Sequence, residues 1–224
     1  MSQQTADNIK KIKATLPCGV ELVAVSKFHP EEVIKEAYRA GQRIFGESRV
    51  QELLAKKDLL PADIEWHFIG HLQTNKVKNI VPFITLIHSG DSERILDEIN
   101  RCAEKIGRKV RVLLQLHVAE EETKTGFTPE ELYEYMSHEK WRTLNHITIS
   151  GVMGMASFVE NEEQIRKEFT EIRAVFDNLK KQYFPNDDGF AICSMGMSHD
   201  YRIAVECGST MVRIGTTIFG EREY

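Results

Sequence analysis

Several stretches of this 224-residue sequence combine residue types that do chemistry. Lys27 ends the apolar run Val23-Ala24-Val25-Ser26-Lys27. A lysine partly withdrawn from water loses some preference for its charged form, and the neutral amine attacks an aldehyde to give a Schiff base. Taken alone, the same lysine reads first as a strand cap that reaches water. Ser194-Met195-Gly196-Met197-Ser198 places two hydroxyls around a glycine, ahead of the amphipathic segment 199–206. Hydroxyls and backbone N–H groups at a helix start bind phosphate. Met211-Val212-Arg213-Ile214-Gly215-Thr216 supplies a second glycine and hydroxyl. Both stretches read equally well as ordinary turns. Arg213 and Gly215 share one face of a strand, because side chains alternate. An inward arginine there pairs with a core carboxylate, or donates to a heteroaromatic nitrogen and keeps it unprotonated. His71 invites a general-base or metal reading, but His67 four residues earlier lies in the strand-like Trp66-His67-Phe68-Ile69. With no HExxH motif and no compact His/Cys/Asp cluster, no metal is expected. Met153, Met155, Met195 and Met197 line a flat aromatic ligand or, more commonly, fill a core.

The elements that must position these residues alternate along the whole chain. After a helical lead-in over 2–16, apolar runs rich in Val, Ile, Leu and Phe fall at 21–26, 42–45, 65–69, 84–88, 110–118, 146–152, 189–193 and 211–214. Continuous apolar runs of this length suit strands buried on both faces, as in parallel sheets. Between them, 30–40 starts with Pro30 and two glutamates and stops at Gly41. The stretch 91–106 opens on an Asp-Ser pair and ends at Gly107. Thr128-Pro129-Glu130-Glu131 reads as a capping box, and 161–183 is the longest helical stretch. The fold class expected is α/β: a (β/α)8 TIM-type barrel with an extra N-terminal helix, with a doubly wound open sheet as the alternative. In such a barrel the C-terminal strand ends carry the chemistry, and Lys27, His71, Lys124, Ser194, Ser198, Gly215 and Thr216 all follow apolar runs. Barrels often hold phosphate on the loops after strands seven and eight, where two of the stretches above fall.

Composition narrows the function classes. The chain is 42% hydrophobic and 28% charged, with a net charge of −5 and no basic run. Nucleic acid and anionic membrane are therefore poor partners, while an anionic small molecule remains compatible with a few local donors. The four cysteines are scattered, with no CxxC pair, which points to reduced thiols and a cytoplasmic setting. The polar N-terminus is not expected to be a signal peptide, and no apolar stretch reaches the length of a membrane span.

Taken together, Val25-Ser26-Lys27, Phe45-Gly-Glu-Ser-Arg-Val-Gln-Glu52, Trp66-His-Phe-Ile-Gly-His-Leu-Gln-Thr-Asn-Lys76, Lys124-Thr-Gly126, Ser194-Met-Gly-Met-Ser198 and Gly208-Ser-Thr-Met-Val-Arg-Ile-Gly-Thr216 give the sequence a resemblance, over nearly its whole length. It resembles the pyridoxal-phosphate homeostasis protein family, whose members are similar to the N-terminal barrel domain of alanine racemase. The resemblance implies one domain over 1–224, binding pyridoxal 5′-phosphate (PLP) as a covalent aldimine on Lys27. It further implies that Ser194, Ser198, Gly215 and Thr216 hold the phosphate, that Arg213 faces the pyridine nitrogen, and that His71 and Lys124 lie near the pocket. Members commonly carry Asn where this chain has Ser48, whose hydroxyl has a shorter reach and fewer donors than an amide. The sequence ends just past the last strand, where alanine racemase continues into a β domain that supplies a second acid/base across its dimer. The expectation is a monomeric carrier or buffer of PLP in the cytoplasm that serves apo PLP-dependent enzymes transiently. The alternatives are a weak PLP-dependent amino-acid racemase using Lys27 as one base, and a barrel for some other phosphate ester. A second PLP site at Lys76 or Lys124 stays open.

Overall fold

The computed structural model describes residues 2–118 and 125–220. Helix α1 (Ser2–Thr15) precedes eight strands: β1 (Glu21–Val25), β2 (Ile44–Glu47), β3 (Glu65–Phe68), β4 (Leu86–Gly90), β5 (Val110–Gln115), β6 (Ile147–Met153), β7 (Ile192–Ser194) and β8 (Met211–Ile214). All pair in parallel in chain order, and β8 returns to β1, so the sheet is a closed barrel. The connecting helices are α2 (Glu31–Arg39), α3 (Val50–Lys57), α4 (Thr74–Ile80), α5 (Glu93–Glu104), α6 (Pro129–Ser137), α7 (Glu162–Tyr183), α8 (Tyr201–Glu206) and α9 (Thr216–Phe219). The open-sheet alternative is thereby set aside.

Two hydrophobic layers follow from strand alternation. Val23, Leu86, Leu113, Met153, Ile192 and Met211 pack against one another inside the barrel. Their strand neighbours Leu22, Ala24, Ile87, Val112 and Leu114 face outward into the larger core beneath the helices. The expected helix signals at the 128–131 box are present: Thr128 accepts from the Glu131 amide, and the Glu131 carboxylate takes the Thr128 amide. The Asp91-Ser92 pair behaves differently from a cap: Ser92 precedes α5 without a side-chain cap bond and donates to Asp91 instead.

β2 and β4 sit two residues further along than their apolar runs suggest, and β7 starts three residues later and ends one later. β2 includes Gly46 and Glu47, because the amide of Ser26 donates to the Gly46 carbonyl and continues the ladder. β7 ends on Ser194, not Cys193, so Ser194 is a strand residue and not a loop residue. At the other end of β2, Gln42 lies before the strand, buried, with its amide donating to the Leu22 and Ile44 carbonyls. Among the described residues no helix is long and apolar enough to cross a membrane.

Candidate cofactor site

Lys27 occupies a tight turn directly after β1. His29 N donates to Ser26 O at 3.1 Å, closing residues 26–29 into a β-turn. Phe28, at the third position, has φ +67°, where glycine is usual. That conformation costs a bulky residue about 1–2 kcal/mol. It is held from below. Phe28 N donates to Glu52 Oε1 at 2.5 Å, and Lys56 Nζ reaches Glu52 Oε1 (2.6 Å), Glu47 Oε1 (2.8 Å) and Ser26 O (2.9 Å). Ser26 Oγ donates to the same Glu47 oxygen at 2.6 Å. Glu47 and Lys56 are buried, and burial pushes the Glu47 carboxyl up to about 7 against the opposing pull of Lys56 and Ser26.

Arg213 enters the same mouth from β8, the strand paired with β1. Its Nη1 donates to Ser194 O (2.8 Å) and Ser194 Oγ (2.7 Å), and its Nη2 donates to Gly154 O (3.0 Å). Among the described residues no carboxylate lies within ion-pair reach of it, although Asp200 acts on it at longer range. The core-carboxylate alternative therefore fails. Burial lowers the guanidinium to about 10, so it stays cationic at neutral pH. Ser194 Oγ also meets His88 Nδ1 at 3.2 Å, and His88 Nε2 meets His67 Nδ1 at 3.1 Å. β4 and β7 are not neighbours, so the His88–Ser194 contact crosses the barrel interior. Burial holds His67 down to about 3 and His88 well below the usual histidine range, so both imidazoles are neutral.

The loops after β7 and β8 meet at Ser198, whose Oγ accepts from Gly215 N (3.3 Å) and Thr217 N (3.4 Å). These bonds are long for N–H···O and leave the amides available to a stronger, anionic acceptor. Gly196 bends the first loop at φ +99°, where a Cβ would meet Ala204 Cβ at 2.6 Å. Asp200 fixes the loop by taking the Met197 amide at 2.5 Å.

A cleft of about 230 Å³ opens between these groups, lined by Lys27, Arg213, Ser198, Gly215 and Thr216 together with His29 and His199. Ile69, Met155, Met197 and Phe158 supply its apolar walls, and Phe158 stands edge-on to His199 with 76% of its surface exposed. The set fits PLP on its own chemistry: an amine, a cation for an acceptor nitrogen, hydroxyl and amide donors for a phosphate, and flat apolar walls for a ring.

The family model for the alanine racemase N-terminal domain matches residues 2–223. The pyridoxal phosphate homeostasis protein of Aquifex aeolicus is 43% identical over 91% of this chain and 88% of its own length. That of Schizosaccharomyces pombe is 37% identical over 91% and 85%. The chain belongs to the pyridoxal phosphate homeostasis protein family. Among solved structures, PipY of Synechococcus elongatus, described with and without PLP bound, superposes with TM-scores of 0.88 and 0.91 at 36% identity, over 97% of this chain and all of PipY. Alanine racemase of Clostridium difficile shares the fold at 17% identity, with a TM-score of 0.79 over 99% of this chain and 57% of the racemase.

Against the roles that family resemblance implied, Lys27, Ser198, Arg213, Gly215 and Thr216 converge on the cleft. Two candidates stand elsewhere. Ser194 is fully buried beneath the cleft, its hydroxyl engaged by Arg213 and His88. His71 points to the neighbouring β3 and β4 loops, where its Nδ1 lies 2.9 Å from Asp91 Oδ2. Ser48 and Lys76 do not line the cleft, and Lys124 lies outside the described residues. Met153 and Met195 are core, while Met155 and Met197 are walls. Sequence reasoning missed His29, Phe158 and His199, and gave no sign of the buried partners His88, Glu47 and Lys56. Among the described residues no group of three or more His, Cys, Asp or Glu is placed to hold a metal.

Proposed function

We propose that this protein binds PLP in the cleft at the barrel mouth, through a covalent link between the Lys27 amine and the aldehyde, and acts in intracellular PLP homeostasis as a carrier or buffer. The observation that carries this reading is the convergence of Lys27, Arg213, Ser198, Gly215 and Thr216 on one cleft. Ser198 and the amides of Gly215 and Thr217 would hold the phosphate. Arg213 would donate to the ring nitrogen, and Ser194 would act through Arg213 instead of touching the phosphate. The kinship with PLP homeostasis proteins and the PLP-bound form of PipY support the ligand.

The cofactor, when bound, supplies an electron sink whose strength depends on protonation of its ring nitrogen. A guanidinium that is buried yet still cationic keeps its own protons and offers only a hydrogen bond. The nitrogen then stays unprotonated and the sink weak, which favours storage over vigorous amino-acid chemistry. The working setting proposed is a cytoplasmic monomer that hands PLP to apo enzymes. The test is to incubate the loaded protein with amino acids in deuterated water and, separately, with an apo PLP enzyme. Recovery of the apo enzyme's activity without sustained α-proton exchange is the expected result. Sustained exchange on any amino acid would overturn the carrier reading in favour of a racemase-like enzyme.

A further inference from the structure

We propose that Lys56 is a positioning residue for Lys27, fixing the two peptide planes on either side of it. The proposal rests on the assignment of Lys27 as the PLP-holding amine. The plane before Lys27 ends in the Ser26 carbonyl, which accepts from Lys56 Nζ at 2.9 Å. The plane after it carries the Phe28 amide, which donates to Glu52 Oε1, and that oxygen is itself held by Lys56 Nζ at 2.6 Å. One buried ammonium therefore ties down both planes, directly on one side and through a carboxylate on the other. With both planes set, the backbone torsions of Lys27 are set, and so is the direction in which its side chain leaves the turn.

Three features mark this as more than a stabilising ion cluster. A buried ion pair is often no better for stability than apolar residues of the same volume, so its presence calls for a specific use. The carbonyl it binds belongs to the turn itself, and not only to carboxylates. The turn also carries Phe28 at φ +67°, a conformation that persists only where the surroundings over-determine it. Lys56 lies on α3 and Glu47 on β2, so the clamp links the turn to the rigid barrel wall.

The capture it would orient is a condensation: the Lys27 nitrogen bonds to the aldehyde carbon, the carbonyl oxygen departs as water, and the ammonium proton goes to solvent. The test compares wild type, Lys56→Met and Glu52→Ala. Stopped-flow absorbance gives the rate of PLP capture. Affinity for pyridoxine 5′-phosphate, which lacks the aldehyde, reports the rest of the cleft. Hydrogen exchange of the Phe28 amide reports the clamp itself in the ligand-free protein. Lys56→Met should slow capture about tenfold or more, as misplacement of a reacting group does, with pyridoxine 5′-phosphate affinity within about twofold of wild type. Glu52→Ala, which frees only one plane and keeps the protein testable should Lys56→Met not fold, should slow capture less. Both should expose the Phe28 amide to faster exchange. Unchanged capture in folded variants, or an equal loss of capture and analogue affinity, would overturn the proposal. A wild type that captures no PLP would sink the cofactor reading instead, and Phe28 exchange would then decide the clamp alone: unchanged exchange in the variants refutes it.

Discussion

Lys27 and Arg213 bring their cationic groups to the same cleft, but the molecule holds them by opposite means. Lys27 is set by a turn braced from outside the barrel, where the buried Lys56 meets the buried Glu47 and the half-buried Glu52. Arg213 is set from inside the barrel, by two carbonyls and by the neutral chain Ser194–His88–His67. The difference follows from what each cation must remain. The role proposed for Lys27 requires its amine to visit the neutral form, and Lys56 and Glu52 hold the backbone of its turn. An arginine that only donates hydrogen bonds can be pinned through its own guanidinium. Neutral imidazoles suit the barrel interior, where a second charge beside Arg213 would be repelled.

The contrast is open to tests that differ in size. The largest effect should come from acid. His67 and His88 bind protons less readily folded than unfolded; the His67 contribution to stability is present above about 6.5 and is lost as pH falls toward about 3, and that of His88 is lost in the same direction. Denaturant titrations across that window should show a loss of roughly 3–5 kcal/mol attributable to His67, and His67→Phe should remove it. The outer cluster has the opposite sign. Glu47 is raised from 4.5 to about 7, so its contribution is present at low pH and is lost as pH rises through about 7. Lys56, Ser26 and Glu52 are the groups facing it, and Glu47→Gln should remove a slope worth roughly 3 kcal/mol between those limits.

Binding should separate the two regions as well. Arg213→Met removes a charged donor and should weaken PLP affinity by about 10- to 100-fold in absorbance titrations, while Lys27 still captures the aldehyde at high concentration. Affinity within a factor of two of wild type would show that Arg213 does not touch the ligand. The smallest change should be Phe28→Gly. It relieves the positive φ but adds backbone freedom, so thermal unfolding should move by less than about 1 kcal/mol.

Much of this arrangement is legible in the sequence. The eight apolar runs foretell the barrel, and the glycines and hydroxyls after the last two foretell where Ser198, Gly215 and Thr216 gather. Ser194 was harder to place. β7 runs one residue past its apolar stretch, and that residue puts the hydroxyl into the barrel interior instead of the loop. His71 follows β3 as a site residue would, but Asp91, twenty residues away, draws it to the adjoining loops. Lys56 reads in the sequence as half of a solvated Lys56-Lys57 pair. Its spacing from Glu52 suggests only a helical ion pair, since nothing local tells of the Ser26 carbonyl thirty residues earlier. His88 and His67 sit inside apolar runs, where a strand pattern hides a polar contact made across the barrel.

The central claim is that Lys27 holds the cofactor, and one measurement reaches it most directly. Purified protein is mixed with PLP, wild type beside Lys27→Ala, followed by absorbance, borohydride reduction and peptide mapping. The account predicts a Schiff-base absorbance band in the wild type that is absent from the variant, with the reduced label on Lys27. A band that survives in Lys27→Ala, a label on another lysine, or no band in either protein would contradict it.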